Sequence, residues 1–280
     1  MLETASAREH LREFYPIKPM KLILAAALAL TFLPDPLLAA DPAPPSAAEL
    51  ASSLSAMQQD STYVRLRMEI KTGGGSTVLQ VQIKERHTKN STDLVYQILF
   101  PKERKGESVL LRKSSRGFSG AVFTPPDGIK TLDSSRLKDP LFGGDLTYED
   151  LVDDFFSWDQ QAIVGEESIN RTPCHVLESK PGKGEHGSYA SVRSWIDAKR
   201  NVPLRIEKYG ASGQLLRRIE TTDVVKDGSR HIPAKLIVQG GRRDSLTDLD
   251  GSKIKHGANY TDEDFSPEGL KKIAVPSTSD

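Results

Sequence analysis

The sequence predicts a mainly β protein built on one large antiparallel sheet, and three observations carry that expectation. Stretches in which apolar and polar residues alternate recur about every ten to fifteen residues. Glycine and proline clusters, not long helices, separate them. Only two stretches show a convincing helical stripe, too few for the crossovers that a parallel sheet requires.

The first helix opens at Ser46, with Glu49 three residues on. That S-x-x-E spacing is a capping box, and Leu50, Leu54 and Met57 follow on one face. Strands come next. In "YVRLRMEI" (63–70), Val64, Leu66, Met68 and Ile70 alternate with Arg65, Arg67 and Glu69. The glycines 73–75 turn the chain into "VLQVQIK" (78–84), where Leu79, Val81 and Ile83 alternate with glutamines and Lys84. "DLVYQILF" (93–100), "ESVLLRK" (107–113) and "GAVF" (120–123) continue the meander. In "DLTYEDLVDDFFSW", Thr147 and Asp150 complete a second capping box. Tyr148, Leu151, Val152, Phe155 and Phe156 then fall at the i, i+3, i+4, i+7, i+8 positions of one amphipathic helix. Strands resume near 160–168, 174–180, 189–197, 202–209, 214–225, 231–239 and 242–249, and "DEDFSPEGLKK" reads as a closing docking segment or short helix.

The N-terminal region predicts export. Met20-Lys21 precedes an apolar run, Leu22–Leu33, then Pro34 and the small pair Ala39-Ala40. That is the layout of a secretory signal peptide. The 12-residue run is well short of the ~20 residues of a membrane span. The expected organisation is an extension and signal over 1–40 with translation starting at Met20, a proline-rich leader over 41–45, and a single domain over 46–280. Cleavage after Ala40 removes four basic and four acidic residues from a chain with 38 of each, so the remainder stays neutral. Neutrality argues against general binding to nucleic acid. With Cys174 as the sole cysteine, no internal disulfide can form.

Candidate chemistry is thin. Cys174 and His175 are neighbours on a strand and point to opposite faces, so Cys174 reads as a structural thiol. The histidines lack metal-ligand spacing, and no G-x-S-x-G elbow is present. The acids Glu149, Asp150, Asp153 and Asp154 read as helix-start and solvated-face residues. "GGGS" (73–76) reads as a turn, "SKPGKGEHGS" (179–188) as a hairpin loop, and "SLTDLDGSK" (245–253) as a hairpin turn lacking the acidic twelfth position of a calcium loop. No catalytic residue, cofactor or metal is therefore expected. What remains is geometric: a sheet with one apolar face must cover it. Two helices could leave a hollow under a curved sheet, or the sheet's own side chains could fill it. In a hollow, one long acyl chain would gain on the order of 10 kcal/mol before ordering costs.

Four stretches, in order, resemble the outer-membrane lipoprotein-sorting proteins, the LolA-like family, in its longer variant. They are "PKERKGESVLL" (101–111), "FGGDLTYEDL" (142–151), "WIDAKRNVPLRIEKYGASGQLLR" (195–217) and "DEDFSPEGL" (262–270), and the likeness spans 46–273. The resemblance implies an open, half-closed β-barrel with a few helices as lid or plug over a hydrophobic cavity. It implies a non-enzymatic monomer in the periplasm that carries acyl chains of lipids or lipoproteins from an inner-membrane exporter to an outer-membrane acceptor. The alternative is a lipid-sensing envelope regulator on the same fold or, further off, a hydrolase. On this likeness, Leu66, Met68, Leu79, Val81, Phe118 and Phe123 line the cavity from the first strands. Leu151, Phe155 and Phe156 line it from the helix, and Trp195, Leu204 and Ile206 from the later strands. The sequence departs from the family where Phe118, Phe123 and Leu146 stand in place of larger or additional aromatic rings, which implies a cavity with fewer of them.

Overall fold

In the computed structural model, the described residues are 45–57, 61–183, 187–241, 244–251 and 254–278. The signal-peptide reading of 1–40, the start at Met20 and residues 41–44 of the leader lie outside them. Fourteen strands form one antiparallel sheet: β1 (Thr62–Thr72), β2 (Gly75–His87), β3 (Ser91–Phe100), β4 (Ser108–Ser114), β5 (Gly117–Thr124), β6 (Gly128–Leu132), β7 (Gln160–Ile169), β8 (Thr172–Lys180), β9 (Ser191–Asp197), β10 (Pro203–Tyr209), β11 (Leu215–Asp227), β12 (Arg230–Gln239), β13 (Ser245–Asp250) and β14 (Ile254–His256). Two α-helices accompany them, α1 (Ala47–Ala56) and α2 (Tyr148–Val152).

Hairpins lead from β1 out to β6. The chain then crosses through α2 to β7 and returns by hairpins to β13, which pairs with β1. The sheet does not close, because β6 and β7 are its two ends. No helix among the described residues is long and apolar enough to cross a membrane.

Pairing register carries the alternation read from the sequence across the sheet. Leu66 lies opposite Val81 and Met68 opposite Leu79, so their side chains share one face. That inner face holds three linked clusters. Met68, Leu79, Val81 and Ile98 form one. Leu94, Val109, Leu111 and Val238 gather beneath Tyr148 and Val152 of α2. Leu177, Val192 and Ile196 lie beneath Leu50, Ala51 and Leu54 of α1, with Phe155, Phe156 and Trp158 between. On the outer face the closing segment docks Phe265 and Leu270 against Val95, Leu110 and Phe123. It does so through two 3-10 turns, Asp262–Phe265 and Gly269–Lys271.

Three expectations need correction. The amphipathic helix does not run on to Phe156. It ends at Val152, because Asp153 takes an extended conformation (ψ 109°) and Asp154 follows at φ −94°, ψ 77°. Aspartate is a poor helix interior residue, and the break serves two clusters: Tyr148 and Val152 stay beneath α2, while Phe155 and Phe156 turn beneath α1. The strand expected near 242–249 is β13 (Ser245–Asp250), paired with both β1 and β12, and it displaces the turn reading of 245–253 over those residues. Two short strands, β6 and β14, escaped the pattern.

Gly120 shows how tightly the sheet is built: a Cβ there would stand 2.3 Å from the Leu110 carbonyl oxygen. Gly120→Ala is expected to lower stability by about 1–3 kcal/mol through this clash. Denaturant melts would read a lower midpoint, with the β signature in circular dichroism unchanged.

Candidate functional site

The site is built around the segment that crosses from β6 to β7. Its anchor is a polar knot at the start of α2. Thr147 caps the helix, and Asp150 returns the box: Asp150 Oδ2 accepts from Thr147 N (2.9 Å) and Oγ1 (2.8 Å). The same carboxylate reaches the other half of the sheet. Arg217 Nε on β11 donates to Oδ2 at 2.9 Å, and Tyr189 OH donates to Oδ1 at 2.7 Å. Lys208 Nζ on β10 stands 3.0 Å from Oδ1. The Asp150 side chain is fully buried and that of Lys208 is 1% exposed. Burial works against ionisation of Asp150, but Lys208 and Arg217 overcome it and hold the carboxyl at about 2. Lys208 also lies over the rings of Tyr189 (4.8 Å) and Phe155 (5.3 Å), so aromatic faces share its charge. Burial, then the Asp150 charge, pushes the Tyr189 phenol far up. Nearby, Glu149 accepts from Ser188 N at 2.5 Å, and Asp145 accepts from Ser245 and Thr247 at 2.8 Å each.

Asp150 closes the capping box as the sequence expects, but neither it nor Glu149 lies on a solvated face: both side chains are buried. The 3.6-residue pattern could not reveal this, because their partners lie on β10, on β11 and before β9. Lys208 and Arg217, which the sequence reading passed over, are the counter-charges. The signal available was their place on inner-face strand positions otherwise held by apolar residues such as Ile206 and Ile219.

Two clefts flank the end of α2. One, of about 490 Å³, is lined by Lys113, Phe118, Leu137, Val152, Asp153, Trp158 and Tyr189, among others. The second, of about 560 Å³, includes His87, Thr92, Leu151, Val152, Asp153 and Asp154. Both lie within the range of small-ligand sites, and Val152 and Asp153 border both. Asp153 is 3.8 Å from Lys113, and burial pushes its carboxyl up despite the cations Lys208 and Lys113.

The twelve residues read as cavity-lining separate into distinct settings. Phe118 and Leu151 border the clefts. Phe155, Phe156 and Ile206 lie in or against the cluster beneath α1. Met68, Leu79 and Val81, with Leu66 beside them, form the third inner cluster. Phe123 belongs instead to the outer face, against Phe265 and Leu270. Trp195 and Leu204 pack with Cys174, Val176 and Val202, apart from the α1 cluster that holds Ile196, the neighbour of Trp195. Leu204 and Ile206 were expected to share a face. A bulge between Pro203 and Arg205 removes Leu204 from the alternation, so the two join different clusters.

Cys174 is buried, its Sγ donates to the Thr172 carbonyl, and burial pushes the thiol up. Among the described residues, no group of three or more His, Cys, Asp and Glu could hold a metal ion. The site can hold an apolar or amphipathic molecule beside a rigid polar anchor.

Asp150 contributes to the acid response. Its folded pKa of about 2 lies below the ordinary 3.8, so its contribution is complete above pH 3.8 and is lost as pH falls toward 2. The loss across that window is about 2 kcal/mol. Asp150→Asn is expected to flatten the acid limb and to cost about 3–5 kcal/mol at neutral pH, because Lys208 and Arg217 lose their shared partner. Urea melts of both proteins between pH 2 and pH 7 test this, and parallel pH profiles would refute it.

The fold has solved counterparts. A DUF1329 family protein from Desulfovibrio piger superposes with a TM-score of 0.74 at 19% identity, covering 80% of this chain and 97% of its own. A structure described as a putative outer membrane lipoprotein-sorting protein domain from Vibrio parahaemolyticus gives 0.72 at 18% identity, with 81% and 98% covered. A LolA superfamily protein from Nitrosomonas europaea gives 0.64 at 20% identity, with 79% and 98% covered. These likenesses establish the LolA-like open-barrel fold. No curated protein matches the sequence. A family model described as "Uncharacterized protein"-like matches residues 90–272.

Proposed function

The chain belongs to the family whose model it matches over residues 90–272, and from that premise we propose that it is a non-enzymatic carrier of lipid or lipoprotein acyl chains. It works in the periplasm, receiving cargo from an inner-membrane exporter and passing it to an outer-membrane acceptor. The observation that supports this reading is the pair of clefts beside α2, in a chain that shares its fold with a putative outer membrane lipoprotein-sorting protein domain and a LolA superfamily protein. Apolar walls at Phe118, Leu137, Leu151 and Val152 give a hydrocarbon chain a surface to bury against.

Polar neighbours temper that hold. Lys113, Asp153 and Glu149 border the first cleft, and His87 and Asp154 the second. Only part of a bound chain escapes water, so retention is weaker than in a wholly apolar tunnel, as handing cargo onward requires. The Asp150 knot keeps α2 in place beside the clefts whether or not they are filled.

Extraction of lipid from the purified full-length protein tests the proposal. Phe118→Glu and Leu151→Glu are expected to lower co-purifying lipid about tenfold or more, since each places a charge on a cleft wall. Val164→Glu, on a side chain that is 49% exposed on β7, should leave lipid content unchanged. A wild-type protein free of lipid, or cleft variants as loaded as wild type, would end the proposal.

A further inference from the structure

The outer face carries a second feature, remote from the clefts. Five large apolar side chains stand exposed among the described residues: Phe100, Val164, Leu215, Ile273 and Val275. Three of them lie along the outer face of β1–β3. Phe100 (53% exposed) ends β3 opposite Gln80 of β2, which in turn lies opposite Arg67 of β1. Ile273 and Val275 flank Ala274, whose carbonyl accepts from Gln82 Nε2 (3.5 Å), two residues along β2. Gln82 is tied to the same face: Tyr63 OH donates to its Oε1 at 3.0 Å, and its own Nε2 donates to Gln97 at 2.7 Å.

Two cations stand on the same face, Arg65 opposite Gln82 and Lys255 opposite Tyr63. Arg65 Nε donates to Tyr63 OH at 2.7 Å, and its guanidinium lies 5.8 Å from the Tyr63 ring centre. Lys255 Nζ approaches the same ring at 6.0 Å. Neither Arg65 nor Lys255 forms an ion pair among the described residues. Both border a groove of about 440 Å³ that also takes in Leu99. Lys102 and Lys105 stand exposed on the turn just after Phe100. Among the acids near this face, Glu69 pairs with Arg67 (3.0 Å) and Asp250, which also borders the groove, with Lys235 (3.1 Å), while Glu103 stands exposed between Lys102 and Lys105.

We propose that this outer face of β1–β3 is a docking surface for an anionic lipid bilayer, with Phe100, Ile273 and Val275 entering the headgroup layer and Arg65 and Lys255 pairing with lipid phosphates. Charge complementarity selects the occupant. The chain is neutral overall, so an excess of unpaired cations beside exposed apolar side chains is a local arrangement. Separated apolar anchors framed by lysine and arginine suit a soft, negatively charged interface; a protein partner would present one continuous apolar core to fill. Tyr63, whose ring gathers the two cations, is itself buried by the Gln82 network and holds them on a firm base. The inference does not depend on the carrier reading, because it uses none of the cleft residues.

Vesicle co-sedimentation of the full chain tests it, at lipid concentrations where the wild type is half bound. Phosphatidylcholine vesicles are compared with phosphatidylcholine–phosphatidylglycerol vesicles. The apolar run 22–33 is common to every protein compared, so differences between variants report this face alone. The wild type is expected to prefer the anionic vesicles by about tenfold or more, at roughly a factor of five per surface cation, with the preference shrinking as salt rises. Arg65→Gln with Lys255→Gln should abolish the preference. Phe100→Ser and Ile273→Ser should weaken binding to both vesicle types. All four positions are exposed, so unchanged melting temperatures will confirm intact folds. Unaltered lipid content of the cleft would separate this result from failure of the carrier reading. No preference in the wild type, or a preference that survives the paired substitution, overturns the proposal. So does displacement by inorganic phosphate beyond that caused by chloride of equal ionic strength, since that would mark a site for the free ion.

Discussion

One buried carboxylate organises the functional end of this molecule. Asp150 closes the capping box of α2 and at the same time receives Tyr189, Lys208 and Arg217 from the opposite half of the sheet. A five-residue helix cannot stand alone, since helix nucleation is costly and a single turn returns little. Here the helix is held by an ion cluster that would be expensive to break, because two desolvated cations would lose their anion. The position of α2 fixes that of Val152 and Asp153, and with them the common border of the two clefts. The polar knot is thus the reason there is a defined site at all.

The same constraint explains why the apolar stripe of the crossing segment is divided. A continuous helix from Tyr148 to Phe156 would direct all its large side chains into one cluster. The extended Asp153 and the turn after it send Phe155 and Phe156 beneath α1, where they meet Trp158 and Leu177. Lys208 then lies between the knot and this aromatic group, its charge over the Phe155 and Tyr189 rings. Charge, aromatic packing and helix length are therefore one solution to joining the two halves of an unclosed sheet across their open side.

The two faces of the sheet do different work. The inner face is covered by α1, α2 and the crossing segment, and two clefts open where α2 ends. The outer face is sealed over β3–β5 by Phe265 and Leu270. Beside these apolar contacts, a buried hydrogen-bonded row runs through Tyr63, Gln82, Gln97 and Ser108, with Gln97 and Ser108 also donating to the Leu270 carbonyl. The row is therefore satisfied in part by the segment that covers it, while Phe100, Ile273 and Val275 stay exposed.

Much of this was legible in the residues. The period-two alternation determined the strands from β1 through β5 and from β7 through β12, and the two S/T-x-x-D/E spacings located both helix starts, because each depends on neighbours within a few positions. The likeness of "FGGDLTYEDL" and the other three stretches to a family pointed to an open barrel, which the fold bears out. Other features belonged to tertiary structure alone. Alternation cannot foresee a bulge, so Leu204 parted from Ile206. Nor can it say which face a strand turns to a docking segment, so Phe123 went to Phe265 and Leu270. The burial of Asp150, and its union with Lys208 and Arg217 nearly sixty residues or more away, follows from no local pattern: a charge looks solvated in sequence until the fold supplies its partner and removes the water.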